Sequence, residues 1–402
     1  MGHGHGHGHG HGHARSHRAD GGLEVRGLPR QVLVTVLVVC GIAAVVGLGV
    51  LWPDGDEDVV GSVSFAGEGV TFPEGVVDAV RASTEQPGGE LDVTVAEGPG
   101  RGSEATVGIP PEVLDSGLEP GDRVELIRTE DGTFQWFGTV RDRPLWILTI
   151  AFVVVVLAVA RLRGLMALVG LAISAAVFAF FLLPALLTGE SPVLAAIVAS
   201  TVIMYVVLYS THGVSLRTSA ALAGTLAGLA VTAAIGSWAV GASRLGGITD
   251  EGGGFLMLHT GDLDFQGLLL AAIVVAGLGV LNDVTITQSS AVWELREASP
   301  EMGRTALFAS GMRIGRDHIA STIYTIVFAY AGAALTVLLV ISLYDRSPLD
   351  LLGTEEIATE IVRSLTSSIG LVLAVPLTTL IATLTVPGPR PAAPDPTAEV
   401  AG

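Results

Sequence analysis

The chain contains no lysine: all 21 of its basic residues are arginine. It has a single cysteine, Cys40, and charged residues fill only 15% of its 402 positions. Each shortage excludes something. One thiol leaves no disulfide within the chain and no thiolate metal cluster. So little charge cannot coat the surface of a soluble globule of this length. The arginines are outnumbered by 39 acids, for a net charge of −18, which argues against nucleic acid as a partner. Catalytic spacings are missing as well. There is no HExxH, no Walker A and no GxSxG, so no enzyme is expected.

What is present instead is apolar sequence. Half of the residues are hydrophobic and the mean hydropathy is +0.61, values that belong to multispanning membrane proteins. A helix crossing about 30 Å of hydrocarbon needs roughly 20 mostly apolar residues. Runs at about 31–52, 145–160, 164–187, 192–209, 218–240, 265–281, 319–343 and 361–386 predict eight spans. The fourth is short, and the sixth needs residues beyond Leu281. Trp52-Pro53 and the acidic DGDED follow the first run, which therefore reads as an uncleaved anchor rather than a secretory signal.

Arginine placement predicts the orientation. With the N-terminus inside, the inner segments hold Arg15, Arg18, Arg26, Arg30, Arg161, Arg163, Arg217, Arg296, Arg304, Arg313, Arg316 and Arg390. The short outer loops hold only Arg244 and Arg346, among several acids. Both termini are then cytoplasmic. The expected organisation is a leader over 1–30, an anchor over 31–52, an extracytoplasmic domain over 54–143, seven further spans over 145–386 and a disordered tail over 387–402.

Residues 54–143 hold 20 acids against 6 arginines, a net of −14. Most of the chain's negative charge therefore sits in this one domain. Alternating runs VVGSVSF, LDVTV, ATVGI, RVELI and FQWFGTV read as five strands, and the Asp-Gly of RTEDGT marks a hairpin between the last two. PEGVVDAVRAS reads as a helix with proline at its start. Together these predict a small β-barrel.

Two polar stretches stand out from the lipid-facing and packing sequence. In GVLNDVTITQSSAVWELRE, Asp283, Thr287, Ser290 and Glu294 share a helical face at steps of four, three and four. In GRDHIASTIYTIVFAYAG, Asp317, Ser321, Tyr324, Thr325 and Phe328 do the same. Carboxylates beside hydroxyls supply hard oxygen ligands and can relay protons. The candidate ion-handling residues are thus Asp283, Thr287, Ser290, Asp317, Ser321 and Thr325. The competing reading makes both acids solvated or arginine-paired groups at helix ends, for instance Asp317 with Arg313 or Arg316. Glu360 and Arg363, three apart, read as a local ion pair. Small residues in SAALAGTLAGLA read as close helix contact.

The same two stretches resemble the most recognisable segments of the YibE/F-like membrane proteins, and the similarity is read as covering the whole chain. The resemblance implies a bacterial integral membrane protein, with an anchor, an extracytoplasmic domain and about seven more spans. It also implies an aspartate at the position of Asp283 and another at Asp317, each followed by hydroxyl residues. The family's function is little characterised.

The histidine leader is not part of that pattern. His3, His5, His7, His9, His11 and His13 alternate with glycine, and His17 follows. Such a repeat cannot bury a core. Its imidazoles are mostly neutral at pH 7, and several can reach one Zn, Ni, Co or Cu ion. Because the repeat runs on into ARSHRADGG, it reads as native rather than as a purification tag. The resulting expectation is a secondary transporter or permease for a small ion, divalent metal favoured, with the lipid bilayer as surroundings and a homo-oligomer left open. The alternative is a non-transporting scaffold whose acidic outer domain binds an envelope partner.

Overall fold

The structure is a computed structural model and describes residues 27–53, 63–83, 87–248, 251–260, 263–345 and 347–390. The leader histidines and most of the expected strand VVGSVSF lie outside the described residues. Chain contacts divide the protein into two compact units. One is Pro53–Ala172 with Leu256–Gly261; the other is Met1–Trp52, Ile173–Phe255 and Asp262–Gly402.

The chain runs from α1 (Leu28–Val50) into five strands: β1 (Glu74–Ala82), β2 (Gly89–Val95), β3 (Glu104–Ile109), β4 (Arg123–Arg128) and β5 (Phe134–Thr139), with the short α2 (Pro111–Asp115) between β3 and β4. All pairings are antiparallel, in the order β3-β2-β1-β4-β5. The sheet curls until the edge strands β3 and β5 approach each other, giving a half-barrel where a small β-barrel-like domain is expected. Its core is aliphatic: Val77, Leu91, Val93, Val95, Val107, Ile109, Val124 and Leu126. Period-two sequence builds it, as in β2, where Leu91, Val93 and Val95 are buried and the residues between them are not.

Four of the five expected strands have a counterpart here, but PEGVVDAVRAS is β1 and not a helix. The cause is a β-bulge. Val77 pairs with Val93 and Ala79 with Asp92, leaving Asp78 unpaired between them. The extra residue resets the pleat, so Val77 and Val80, three apart as on a helix, both turn to the core. The expected Asp-Gly hairpin is present, with Arg128 opposite Phe134 and Gly132 at φ +85°.

α3 (Asp142–Val177) is broken at Arg161, whose φ of 53° and ψ of −128° are not helical. A Cβ on Gly164 would lie 2.7 Å from the Val156 carbonyl oxygen. In a straight helix residues eight apart are separated by about 12 Å, so the chain folds back sharply at Arg161. A π-helical turn, Phe178–Leu182, then widens the helix just before Pro184 in α4 (Leu183–Leu187), accommodating a residue that cannot donate to the ladder.

The remaining helices are α5 (Pro192–His212), α6 (Leu216–Ser243), α7 (Glu251–Thr260), α8 (Phe265–Ala298), α9 (Arg304–Ala333), α10 (Leu335–Ser342), α11 (Pro348–Leu351) and α12 (Glu355–Thr385). Among the described residues, six segments are long and apolar enough to cross a membrane: Leu28–Val50, Asp142–Leu187, Pro192–His212, Leu216–Ser243, Phe265–Ala298 and Glu355–Thr385. α9 and α10 pass the same test together, bent by 63° at Ala334, after the small-residue run Ala331-Gly332-Ala333.

The α6–α12 seam is built from small residues. Cβ atoms placed at three α6 glycines would meet α12: at Gly224, Thr378 Oγ1 at 2.0 Å; at Gly228, the Ala374 Cβ at 2.9 Å; at Gly236, the Thr366 Cγ2 at 3.5 Å. Reciprocally, a Cβ at Gly370 of α12 would lie 1.9 Å from Thr232 Oγ1 of α6. Each helix thus presents glycine, a small residue four on, and threonine eight on, and the two run antiparallel so that glycine meets threonine at both ends. Only hydrogen at the glycine Cα lets the backbones come this close.

Candidate functional site

α8 lies along this pair and packs extensively on both α6 and α12. Its buried stripe is Leu281, Val284, Thr285, Gln288, Ser289, Val292 and Arg296, spaced by three and four as one helical face requires. The stripe carries polar groups into the core. Thr225 of α6 and Thr285 share a hydrogen bond of 2.6 Å. Gln288 Nε2 donates to the Gly311 carbonyl of α9 at 2.9 Å and to Thr379 Oγ1 of α12 at 2.7 Å. α9 comes close enough because position 315 is glycine; a Cβ there would stand 3.1 Å from Gln288 Oε1. Ser289 Oγ donates to the Arg217 carbonyl at 2.8 Å, tying α8 back to the start of α6. On α12, the Thr379 hydroxyl donates in turn to the Val375 carbonyl at 2.7 Å, one residue before Pro376, which the helix carries in its interior.

Thr225, Thr232, Thr285, Ser289, Thr378 and Thr379 are all fully buried, yet not all are satisfied. Thr378 Oγ1 and Ser367 Oγ, both in the α12 face toward α6 and α8, have no hydrogen-bond partner among the described residues; the same holds for Asn282 Oδ1 on α8. An unpartnered buried hydroxyl typically costs about 1–3 kcal/mol. Among the described residues the buried polar set is otherwise neutral, Arg296 being its one charged member. The Arg296 Nη1 donates to the Pro300 and Met302 carbonyls at 3.1 and 2.7 Å, clasping the turn between α8 and α9. Among the described residues, no group of three His, Cys, Asp or Glu is placed to hold a metal ion.

The residues picked out by sequence lie elsewhere on the same helices. Asp283 and Thr287 are exposed and Ser290 is half-buried, on the side of α8 away from its buried stripe; Asp317, Ser321 and Thr325 are exposed on α9. The Thr325 hydroxyl bonds back to the Ser321 carbonyl at 3.4 Å. Arg313 donates to Ser310 Oγ at 2.7 Å, and Glu294 pairs with Arg217 at 3.3 Å. The packed contact between α8 and α9 therefore runs through Gln288, Gly311 and Gly315 and not through the two aspartates. The Glu360–Arg363 pair is present at 2.9 Å. At the other ends of the helices, Glu355 Oε1 accepts from the Gly246 and Gly247 amides at 2.6 and 3.1 Å, joining the start of α12 to the segment after α6.

Gln288, Thr285, Thr225, Ser367, Thr378 and Thr379 are the functional candidates that sequence reasoning passed over. One signal was available: Gln288 follows Leu281, Val284 and Thr285 at helical spacing and precedes Val292 by four.

A set of long apolar helices enclosing a polar seam defines a multi-span membrane protein. The family model for YibE/F-like proteins matches residues 148–388, and the chain belongs to that family. The match begins within α3, so α1 and the half-barrel fall outside it, in contrast to the whole-chain similarity expected. No curated protein and no solved structure matches the chain.

Proposed function

We propose that the protein is a permease for a small ion, with its path along the polar seam of α6, α8 and α12. One observation carries this reading: Thr378 and Ser367 hold buried hydroxyls with no partner among the described residues, inside helices that otherwise read as membrane spans. Polar groups at membrane depth are costly, and where they are kept they commonly mark ion or proton pathways. Pro376, two residues before Thr378, interrupts the ladder of α12, and interrupted helices are a frequent feature of transporter sites. In this reading Asp283 and Asp317 are boundary acids that attract the cation, with Thr287, Ser290, Ser321 and Thr325 beside them. The leader histidines gather a transition metal such as Zn, Ni, Co or Cu, which favours a divalent cargo.

The proposed topology has eight spans in a bacterial inner membrane, both termini in the cytoplasm and the half-barrel outside. The fold-back at Arg161 supports counting Asp142–Leu187 as two spans, and the bent α9–α10 pair as one. Cysteine introduced at Ser103 in a Cys40→Ala background should react with an impermeant thiol reagent in intact cells. Reaction only after lysis would reverse the orientation.

Transport is tested with the purified full chain in proteoliposomes, following uptake of zinc, nickel and a monovalent cation by entrapped indicators. Ser367→Ala and Thr378→Val should each lower the flux several-fold with the protein still folded. No flux of any of these ions through folded protein would overturn the reading in favour of the scaffold, whose binding surface would then be the acidic face of the half-barrel.

A further inference from the structure

The half-barrel carries an aromatic cluster that its own core does not use. Phe65, Phe72 and Phe137 meet edge to face or tilted, with ring centroids 5.3, 5.8 and 5.1 Å apart. Phe65 is 79% exposed and Phe137 38%. The direction of Phe137 is set by the backbone. Glu125 pairs with Gly138 and Leu126 with Trp136, so Phe137 is the unpaired residue of a bulge; bulges re-aim the side chain they carry. Trp136 beside it packs on the barrel core, while Phe137 leaves the core and joins the other two rings on the surface.

The chain itself shows what lies within reach of these rings. Asp142, the first residue of α3, is five positions beyond Phe137, and five extended residues span at most about 18 Å. The opening turns of α3 expose Leu145, Trp146, Ile147 and Leu148, each more than half, at the start of a segment apolar enough to cross a membrane. Three phenyl rings on a domain of strongly acidic sequence are thus tethered beside the point where the chain enters a bilayer. Phenylalanine on an exposed face can bury its apolar ring at the boundary between lipid headgroups and acyl chains, and a cluster of such rings anchors a protein face there. The acidic remainder favours water.

We propose that the half-barrel docks on the bilayer surface through Phe65, Phe72 and Phe137, their rings seated among the lipid headgroups. The occupant of this patch is lipid and not protein. The contact goes beyond the transport reading and does not depend on it. Because the domain is acidic, the contact is strongest on zwitterionic lipid and weakens as anionic lipid is added.

Site-directed spin labelling of the full chain tests this, in a Cys40→Ala background reconstituted in phosphatidylcholine bilayers. A nitroxide at Ala66→Cys leaves all three rings in place, and one at Ser116→Cys, exposed beyond α2, is the aqueous reference. Collision with oxygen and with a water-soluble nickel chelate is read by power saturation. The expected result is nickel accessibility at position 66 several-fold below that at 116, with oxygen accessibility retained. Phe65→Ser combined with Phe137→Ser should raise the nickel value at 66 toward that at 116, while the protease resistance of the half-barrel stays unchanged. Equal nickel accessibility at the two sites in the parent protein would overturn the proposal. So would shielding of position 66 from both oxygen and nickel, which would place protein, a second copy or another chain, on the patch.

Discussion

Gly370→Ala reads the α6–α12 seam directly. In an ordinary helix this change is favourable, since alanine removes backbone entropy from the unfolded chain and gains about 0.4–1 kcal/mol. Here the added methyl would stand 1.9 Å from Thr232 Oγ1 and 3.2 Å from Thr232 Cβ. The first distance is far inside van der Waals contact, so α6 and α12 must separate or Thr232 must leave its rotamer. Overpacking of this kind costs about 1–3 kcal/mol, and a net loss of roughly 1–2 kcal/mol is expected after the helix preference is subtracted. Thr232→Ala removes the clashing oxygen and leaves a Cβ at 3.2 Å, a tight contact that a shift of a few tenths of an ångström relieves. The double variant should therefore recover most of the loss, a coupling of about 0.5–3 kcal/mol as for residues in contact. Gly279→Ala is the control: that glycine lies inside α8 and a Cβ there meets nothing within 4 Å, so it should match or slightly exceed the parent. Equilibrium unfolding in mixed micelles measures the parent and all four variants, Gly370→Ala, Thr232→Ala, their double and Gly279→Ala. A stabilised Gly370→Ala, or a double variant no better than the single, would show that the helices do not approach as closely as described.

Gln288→Leu keeps the volume but removes two donated hydrogen bonds that link α8 to α9 and α12. At about 0.6–2 kcal/mol for each such bond within a membrane, unfolding in the same micelles should show a loss of about 1–4 kcal/mol, and no loss would mean that packing alone holds the three helices. Asp283→Asn and Asp317→Asn, both on exposed faces, should change stability by no more than about 0.5 kcal/mol while lowering ion flux; unchanged flux would remove the boundary acids from the path. In the half-barrel, the Thr129 hydroxyl and then the Thr133 amide hold the Asp131 carboxyl below its ordinary range. A depressed folded pKa gives stability that is complete above the unfolded value and is lost as pH falls through the folded one. Hydrogen exchange of the β4–β5 turn, corrected for intrinsic rate, should accelerate below about pH 4, and Asp131→Asn should abolish that dependence; a persistent dependence would assign it to another group.

The half-barrel was legible from sequence where one face is wet and the other buried, because alternation then writes itself into residues such as Leu91, Val93 and Val95. It was misread at PEGVVDAVRAS, where a bulge at Asp78 placed two core valines three apart and imitated a helix. The turn at Arg161 is another case. The sequence separated runs at 145–160 and 164–187 by the charge of Arg-Leu-Arg, and the backbone does reverse there, although an arginine at φ 53° carries none of the glycine or proline that usually announces a break.

The polar seam was missed for a different reason, one inherent to membrane helices. In water an amphipathic helix buries its apolar face, so polar residues mark the outside. In lipid both faces are apolar, and the inward face is the one that collects small and hydroxyl residues. The stretch LNDVTITQSSAVWEL has polar residues all round, so choosing a face by its acids selected Asp283 and Thr287, which are exposed, over Thr285 and Gln288, which are not. One residue of helix turns the face by about 100°, and that is the step between Thr287 and Gln288. Glycine on the neighbouring helices would have decided between them. Gly311 and Gly315 on α9 and Gly224 and Gly228 on α6 recur every four residues, and a helix spaced that way exposes its backbone to a partner along one line. Whatever polar group stands opposite that line is enclosed by backbone and shut off from lipid, which is the condition under which an amide or a hydroxyl can be kept inside a bilayer.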